Sequence, residues 1–189
     1  MSDATSTHFR PTNLTAAQTE WLKNYIRAIP DYPQPGILFR DITPLLQHGP
    51  ALRFAIETMT ERYRSARIDH VVGIESRGFI FGTPLAYLLN TGFVPVRKKG
   101  KLPYDTIQQE YALEYGTAVL EIHTDAVKPG ERVLVVDDLL ATGGTTEGTV
   151  RLVESLGAEV VSLAFLIELT ALNGRSRLPG RDVFALLAY

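Results

Sequence analysis

The sequence has no cysteine and few histidines, and these two shortages exclude several kinds of site. Without cysteine, the 189-residue chain has no disulfide, no zinc–thiolate site, no iron–sulfur cluster and no thiol nucleophile. The four histidines do not form the closely spaced pairs that are typical of metal ligands: His8, His48, His70 and His123. The chemistry of the protein is therefore expected from acids, cations, hydroxyls and backbone groups.

Long hydrophobic runs and an excess of positive charge are missing as well. The longest apolar run, at residues 160–167, contains Ser162 and is far shorter than the roughly 18 residues of a membrane span. Residues 1–10 are polar and do not resemble a signal peptide. A net charge of −2 argues against a broad nucleic-acid-binding surface. We expect a cytoplasmic protein that binds neither membrane nor nucleic acid.

Alternating strand and helix patterns predict an α/β fold: a single domain over residues 13–189, after a loose leader at residues 1–12. Apolar strands are predicted at residues 70–75, 93–97, 132–136, 160–166 and 182–189. Helices are predicted from Thr15 to the stop at Pro30, at 50–65, from a Gly-rich turn to about residue 90, and at 144–156, with a kink or late start at Pro84. Buried strands between helices predict three layers around a central, mostly parallel β-sheet flanked by helices, with ligands at the carboxyl ends of the strands.

The segment after the strand at residues 132–136 combines two acids with a glycine-rich helix start. It reads Asp137-Asp138-Leu139-Leu140-Ala141-Thr142-Gly143-Gly144-Thr145-Thr146. The glycines allow backbone N–H groups to close on an anion, and the helix N-terminus adds partial positive charge. No Gly-Lys-Ser/Thr follows, which argues against a kinase or NTPase. Adjacent carboxylates suit the vicinal hydroxyls of a ribose, or a magnesium ion, so the pattern predicts a phosphorylated ribose as ligand.

These residues resemble the phosphoribosyl-pyrophosphate signature of the type I phosphoribosyltransferases. The resemblance implies that Asp137 and Asp138 bind the ribose hydroxyls. It also implies a 5′-phosphate loop made of Ala141, Thr142, Gly143, Gly144 and Thr145. A small N-terminal hood, a mobile lid loop and a homodimer are further expectations from this family. Its Mg²⁺ cofactor is expected to be held mainly by the substrate, with Asp137 as the candidate protein ligand.

Three further segments, at residues 35–42, 73–79 and 97–103 followed by 113–116, resemble the members of this family that use adenine as acceptor. The resemblance places adenine at Leu38, Phe39 and Arg40, where the flat Phe39 ring suits stacking. It places pyrophosphate at Glu75, Ser76, Arg77, Arg97, Lys98 and Lys101. Clustered cations stabilise a departing polyanion, so Arg77 and Lys101 receive catalytic roles. Glu114 is expected to manage the proton at adenine N7, beside Tyr115 in the lid.

Residues 103–112 show little periodicity and are predicted to form the mobile lid. Such a lid excludes water from a transition state with oxocarbenium character. Glu110, which also precedes a tyrosine, is the alternative to Glu114.

Other functions remain open at this point. The predicted reaction joins adenine to 5-phosphoribosyl 1-pyrophosphate, giving AMP and pyrophosphate in purine salvage. One alternative is a transferase for hypoxanthine, guanine or xanthine. Another is a regulator that keeps the donor site as a sensor without turnover. Phe39 also has a plain interpretation as a core residue, and the run of cations at residues 97–101 as a solvated strand end.

Overall fold

A seven-stranded sheet with helices on both faces dominates the part of the chain that the structure describes. The computed structural model describes residues 9–10, 12–112 and 117–189. In chain order the elements are α1 (Ala16–Lys23), β1 (Arg27–Pro30), β2 (Leu38–Asp41), α2 (Thr43–Gln47), α3 (Gly49–Tyr63), β3 (His70–Ile74), α4 (Gly78–Leu89), β4 (Gly92–Lys98), β5 (Thr106–Ala112), β6 (Thr117–His123), β7 (Arg132–Leu140), α5 (Gly144–Ser155), β8 (Glu159–Glu168) and β9 (Val183–Ala188). Two short 3₁₀ helices, Thr170–Leu172 and Gly174–Arg177, lie between β8 and β9.

The strand order of the large sheet is β5-β6-β4-β3-β7-β8-β9. The five strands from β4 to β9 in this order are parallel, whereas β5 and β6 form an antiparallel hairpin beside β4. The prediction of a mostly parallel sheet is confirmed, and β9 is its edge strand as expected. Because β3 pairs in parallel with both β4 and β7, the carboxyl ends of these three strands meet at one edge of the sheet.

Successive strand residues pack into two hydrophobic clusters, one on each face of the sheet. Val71 and Leu134 belong to the cluster that contains buried residues of α1, α2, α3 and α4. Their neighbours Val72 and Val135 belong to the cluster that contains the apolar face of α5. This alternation is the period-two side-chain geometry of a strand with both faces covered. The predicted three-layer architecture is thereby confirmed.

The N-terminal part of the described chain forms a small unit, the hood, in which β1 pairs with β2. The predicted capping box at Thr15 begins α1, but the prediction that this helix extends to Pro30 is wrong. The helix ends at Lys23, and Ile29 instead lies opposite Phe39 in an antiparallel pair. Pairing with β2, a contact distant in sequence, overrides the local helical spacing. The short helix α2 between β2 and α3 was not predicted.

Two other segments differ from expectation. Of the two outcomes predicted at Pro84, a kink or a late start, the late start is wrong, because α4 begins at Gly78 and includes this proline. Phe81 and Leu85, both fully buried, anchor α4 against the core on either side of Pro84. The prediction of an irregular segment over residues 103–112 is wrong for 106–112, which form β5. Seven residue pairs with β6 hold this strand in the sheet, and the periodicity of residues 106–112 alone does not reveal this pairing.

Only part of the predicted leader lies within the described residues. Phe9 packs edge-on against Tyr63, with ring centres 5.4 Å apart, and the Arg10 N–H donates to the Arg62 carbonyl at 3.0 Å. Residues 1–8 and 11 lie outside the described residues. Among the described residues, no helix has the length and hydrophobicity needed to cross a membrane.

Candidate active site

The paired acids lie inside β7 rather than after it, because this strand continues to Leu140. Asp138 is buried with 4% of its surface exposed, and the Asp138 N–H donates to Asp137 Oδ1 at 2.8 Å. Burial and the neighbouring charge of Asp138 raise the pKa of Asp137 well above its usual value. Burial also raises the pKa of Asp138, although Arg77 opposes the shift. A ligand with hydroxyl donors, or a cation, would stabilise the ionised form of these two carboxylates.

The first turn of α4 carries Arg77 and Gly78 to these acids. Arg77 Nε lies 3.0 Å from Asp138 Oδ2, and this buried oxygen accepts no hydrogen bond from the described residues. Gly78 allows the close approach, since a Cβ there would lie 2.8 Å from the Val136 carbonyl oxygen and 3.0 Å from Asp137 Oδ1. A buried carboxylate oxygen without a hydrogen bond is costly unless a ligand uses it.

The predicted 5′-phosphate loop, residues 141–145, connects β7 to α5. Gly143 is the N-cap of α5 and has φ = +85°, a left-handed conformation that favours glycine. The N–H of Glu147 donates to the Gly143 carbonyl at 2.9 Å, which closes the first turn. The N–H groups of this turn precede the helical bonding pattern and are free to bind an anion, as expected for a phosphate site at a helix N-terminus.

A second group of charges lies at the ends of β3 and β4. The cation loop, residues 97–101, begins at the end of β4 and holds Arg97, Lys98, Lys99 and Lys101. Glu75, at the end of β3, accepts hydrogen bonds from Arg97 Nε at 3.1 Å, from the Lys98 N–H at 3.1 Å and from Lys101 Nζ. Burial alone would raise the pKa of Glu75, but these donors lower it below its usual value. Of the predicted pyrophosphate residues, the structure brings Glu75 together with Arg97, Lys98 and Lys101, whereas Arg77 pairs with Asp138.

Glu121 is a residue of this region that sequence reasoning missed. It lies on β6 opposite Arg97, and only 2% of its surface is exposed. Its Oε1 accepts the N–H groups of Lys101 at 2.9 Å and Leu102 at 2.8 Å. Glu121 therefore holds the backbone of the cation loop in place. The only signal in the sequence is a single charge within the otherwise apolar stretch of residues 118–122.

The hood places the predicted base-binding residues beside Arg77. The Arg77 guanidinium lies 5.7 Å from the centre of the Phe39 ring, and Tyr32 packs edge-on against that ring at 5.1 Å. Leu38 is 47% exposed. Arg40 turns away and lies over the Tyr189 ring at 4.1 Å. Arg77 thus contacts both Phe39 of the hood and Asp138 of the acid pair.

Two predicted residues lie outside the described part of the chain, namely Glu114 and Tyr115. Their alternative, Glu110, lies on β5 opposite Val119 and lines a cleft with Glu147 and Arg151 of α5. Among the described residues, no group of three or more His, Asp or Glu side chains forms a metal site. A metal at this edge of the sheet would have the acid pair as its candidate protein ligands.

Comparison with known proteins agrees with this geometry. Residues 42–184 match the family model described as a phosphoribosyl transferase domain. An adenine phosphoribosyltransferase of Carboxydothermus hydrogenoformans is 60% identical over 168 residues, which cover 89% of this chain and 99% of the relative.

Two solved structures extend the comparison. The adenine phosphoribosyltransferase of Rhodothermus marinus is 57% identical with a TM-score of 0.88, covering 93% of this chain and 100% of that one. The Saccharomyces cerevisiae enzyme, solved with an imino-altritol bisphosphate and adenine, is 40% identical with a TM-score of 0.85, covering 92% and 100%. The match to the family model spans the acid pair and the glycine-rich loop of this chain. The chain therefore belongs to the phosphoribosyltransferase family and, within it, to the adenine phosphoribosyltransferases.

Proposed function

We propose that the protein transfers the 5-phosphoribosyl group from 5-phosphoribosyl 1-pyrophosphate to adenine, giving AMP and pyrophosphate for purine salvage. The observation that carries this proposal is the position of the acid pair of β7 and the cation loop of β4 on either side of β3, at the carboxyl edge of the sheet, in a chain 60% identical to an adenine phosphoribosyltransferase. We call the space between them the cleft. One wall offers acceptors for ribose hydroxyls, and the other offers cations for a polyanion. A donor with both groups spans the cleft.

The donor is held at three points. The first-turn N–H groups of α5 and the hydroxyls of Thr142 and Thr145 bind the 5′-phosphate, together with Ala141, Gly143 and Gly144. Asp137 and Asp138 accept hydrogen bonds from the ribose hydroxyls, which gives Asp138 Oδ2 the hydrogen bond it lacks. Ser76, Arg77, Arg97, Lys98 and Lys101 receive the pyrophosphate. Glu75 belongs to this group as the carboxylate that pairs with Arg97 and Lys101 rather than as a direct contact.

The acceptor adenine lies against Phe39, with Leu38 and Arg40 at its edges. Stacking on the Phe39 ring gives an apolar contact that orients the base towards the ribose. Glu114 accepts or relays the proton at N7, so that N9 becomes the better nucleophile. Tyr115 and the neighbouring lid residues close over the reacting atoms and exclude water.

The chemical step follows from positioning and electrostatics, without a covalent enzyme intermediate. Adenine N9 forms a bond to ribose C1 while the bond from C1 to pyrophosphate breaks, and the electron pair leaves with the pyrophosphate. Arg77 and Lys101 stabilise the charge that develops on the leaving group. Asp137 and Asp138, held ionised by the ribose donors, stabilise positive charge on the ribose ring.

The acid pair also fits a magnesium ion. Mg²⁺ prefers oxygen ligands and keeps part of its shell for substrate oxygens, and the Asp137 carboxylate offers an oxygen ligand beside Asp138. When bound, the ion supplies charge neutralisation to the donor. We propose that the donor supplies most of its ligands, with Asp137 as the protein ligand.

The assembly and location are part of the same proposal. We propose a homodimer, supported by the apolar side chains that α4 exposes, among them Ile80, Tyr87 and Leu88 at 39%, 83% and 39%. A cytoplasmic location follows from the substrates, since phosphorylated sugars do not cross membranes unaided.

The test is AMP formation from adenine and the donor, with and without Mg²⁺, and with hypoxanthine and guanine in parallel. AMP formed with adenine and metal, and no nucleotide from the oxopurines, is expected. Turnover of an oxopurine would overturn the assignment of the base site. Binding of the donor without turnover of any base would indicate a regulator that senses the donor rather than an enzyme. Glu114→Gln is expected to lower kcat, with Glu110→Gln as the matched control because each glutamate precedes a tyrosine.

A further inference from the structure

The segment between β8 and β9, residues 169–177, folds back onto the 5′-phosphate loop. The Leu169 N–H donates to the Leu140 carbonyl at 2.9 Å, directly before the loop begins. Gly174 then meets the loop backbone itself, since a Cβ on Gly174 would lie 2.2 Å from the Ala141 carbonyl oxygen. From the other side, a Cβ on Gly143 would lie 2.5 Å from the Gly174 carbonyl oxygen. The two backbones are in direct contact at a point where neither tolerates a side chain.

A partly buried ion pair holds this segment in place. Arg175 Nε and Nη2 donate to the two carboxylate oxygens of Glu168, each at 2.7 Å, and Nη1 donates to the Val183 carbonyl at 2.8 Å. Only 7% of the Glu168 surface is exposed. Glu168 is the last residue of β8, and it lies in register with Leu140, the last residue of β7. The two-pronged contact of a guanidinium with a carboxylate is strongly directional, so it fixes the residue that follows Gly174.

The position of the ion pair matters because the residue it fixes is next to Gly174, which contacts the loop backbone at Ala141 and Gly143. Gly143 lacks a side chain to pack, and its left-handed φ leaves the backbone dependent on its surroundings. Arg177 continues the contact, with Nη1 3.6 Å from Glu147 Oε2 in the first turn of α5. Leu178, the residue after the segment, is buried in the hydrophobic cluster on the α5 face. The segment is therefore held at both ends, at Leu169 and beside Leu178, and contacts the loop between them.

We propose that Glu168 and Arg175 are positioning residues for the 5′-phosphate: they hold Gly174 against Ala141 and Gly143, and so set the spacing of the N–H groups that bind the phosphate. Neither side chain touches the ligand. The inference rests on the proposed function for the identity of that ligand. A preorganised anion site loses affinity when its backbone donors shift, even where every donor is still present.

The test uses Arg175→Met, which removes the donors and keeps the bulk of the side chain. We expect KM for 5-phosphoribosyl 1-pyrophosphate to rise about tenfold, with kcat and KM for adenine within about twofold. Calorimetry with ribose 5-phosphate should show the same weakening, while pyrophosphate binding should be unchanged. Arg175→Lys should restore little, because an ammonium cannot reproduce the two parallel hydrogen bonds.

Two controls separate positioning from general stability. Arg132→Met breaks another ion pair, with Glu159 at 2.8 Å, at the opposite end of β7 and β8 from the loop, and should lower Tm without changing ribose 5-phosphate affinity. Gly174→Ala should weaken ribose 5-phosphate binding directly, whereas Gly49→Ala, with no atom within 4 Å of the new Cβ, should not. If Arg175→Met does not fold, Glu168→Gln gives the same comparison.

The outcomes are distinct. Equal effects of Arg175→Met and Arg132→Met on ribose 5-phosphate affinity would overturn the positioning role. So would unchanged affinity in Arg175→Met or in Gly174→Ala. If the wild-type protein does not form AMP, the proposed function fails, but the ribose 5-phosphate titrations still test the role of the ion pair.

Discussion

Replacing Glu121 by alanine removes a carboxylate that contacts the cation loop only through its backbone. Glu121 Oε1 accepts the N–H groups of Lys101 and Leu102 at 2.9 and 2.8 Å, and hydrogen bonds to a charged group contribute about 1.5–3 kcal/mol each. Lys101 is exposed, so water replaces part of what is lost. We expect the free energy of unfolding to fall by about 2 kcal/mol. For a chain of this size that lowers Tm by roughly 4–8 °C.

The same change should weaken pyrophosphate binding. Arg97 and Lys101 are placed by the loop backbone, and Arg97 Nη1 also donates to the Lys101 carbonyl at 3.0 Å. When the loop loosens, both cations lose their fixed positions, and pyrophosphate measured by calorimetry should bind several-fold more weakly. Adenine affinity should not change. Glu57→Ala is the matched control, because Glu57 forms an exposed pair with Arg53 on α3 that contributes little.

The pH dependence gives a separate check on Glu121. Burial alone would raise its pKa, but the N–H donors of Leu102, Gly100 and Lys101 lower it. The ionised carboxylate therefore stabilises the fold above its unfolded pKa, near 4.5, and this contribution is lost as pH falls through the folded value. The Tm difference between wild type and Glu121→Gln should narrow below that pH. An unchanged Tm and unchanged pyrophosphate affinity in Glu121→Ala would refute the assigned role.

Three further predictions concern the cleft. Asp137→Asn should abolish turnover yet stabilise the ligand-free protein, because the raised pKa of Asp137 means that the ionised pair opposes folding. We expect the free energy of unfolding to rise by about 1 kcal/mol, which raises Tm by roughly 2–4 °C. That gain should shrink as pH falls and the acids become protonated, and a lower Tm at neutral pH would contradict it. Gly78→Ala should cost about 1–3 kcal/mol and raise KM for the donor, since the new Cβ would lie 2.8 Å from the Val136 carbonyl oxygen; thermal melts against Gly49→Ala measure the cost, and an equal Tm would count against the close contact. Glu75→Gln should tighten pyrophosphate binding and slow its release, because Arg97 and Lys101 lose the charge that competes with the ligand; weaker binding in calorimetry would instead assign Glu75 a purely structural role.

The donor site was predictable because its chemistry lies in one stretch of sequence. Asp137 and Asp138, the glycines and the helix start follow one another, and their residue types alone indicate a phosphate and a ribose. The parallel sheet was predictable for a similar reason, since continuous apolar runs between helices leave few other folds. Both predictions depend on patterns within continuous stretches of sequence.

The parts that sequence could not supply depend on contacts between distant residues. Ile29 leaves a helical pattern because it pairs with Phe39, and residues 106–112 form a strand because β6 lies beside them. Glu121 and Arg97 are neighbours only through the register of β6 with β4. Glu168 and Arg175 reach the phosphate loop through Gly174, which no local motif connects to Gly143.

The charges of the cleft are balanced internally, and this balance bears on how the site works. Arg77 pairs with Asp138, and Glu75 pairs with Arg97 and Lys101. In the proposed site, a bound donor competes with Arg77 for Asp138 and with Glu75 for Arg97 and Lys101. Each of these exchanges lowers ground-state affinity, since an interaction with the donor displaces one within the protein. The exchange with Glu75 also favours release of pyrophosphate, because Glu75 is in place to take back the cations as the product leaves. The ion pairs on the two sides of the cleft thus lower the affinity for the donor and favour release of the product. An enzyme needs this balance, whereas a sensor does not.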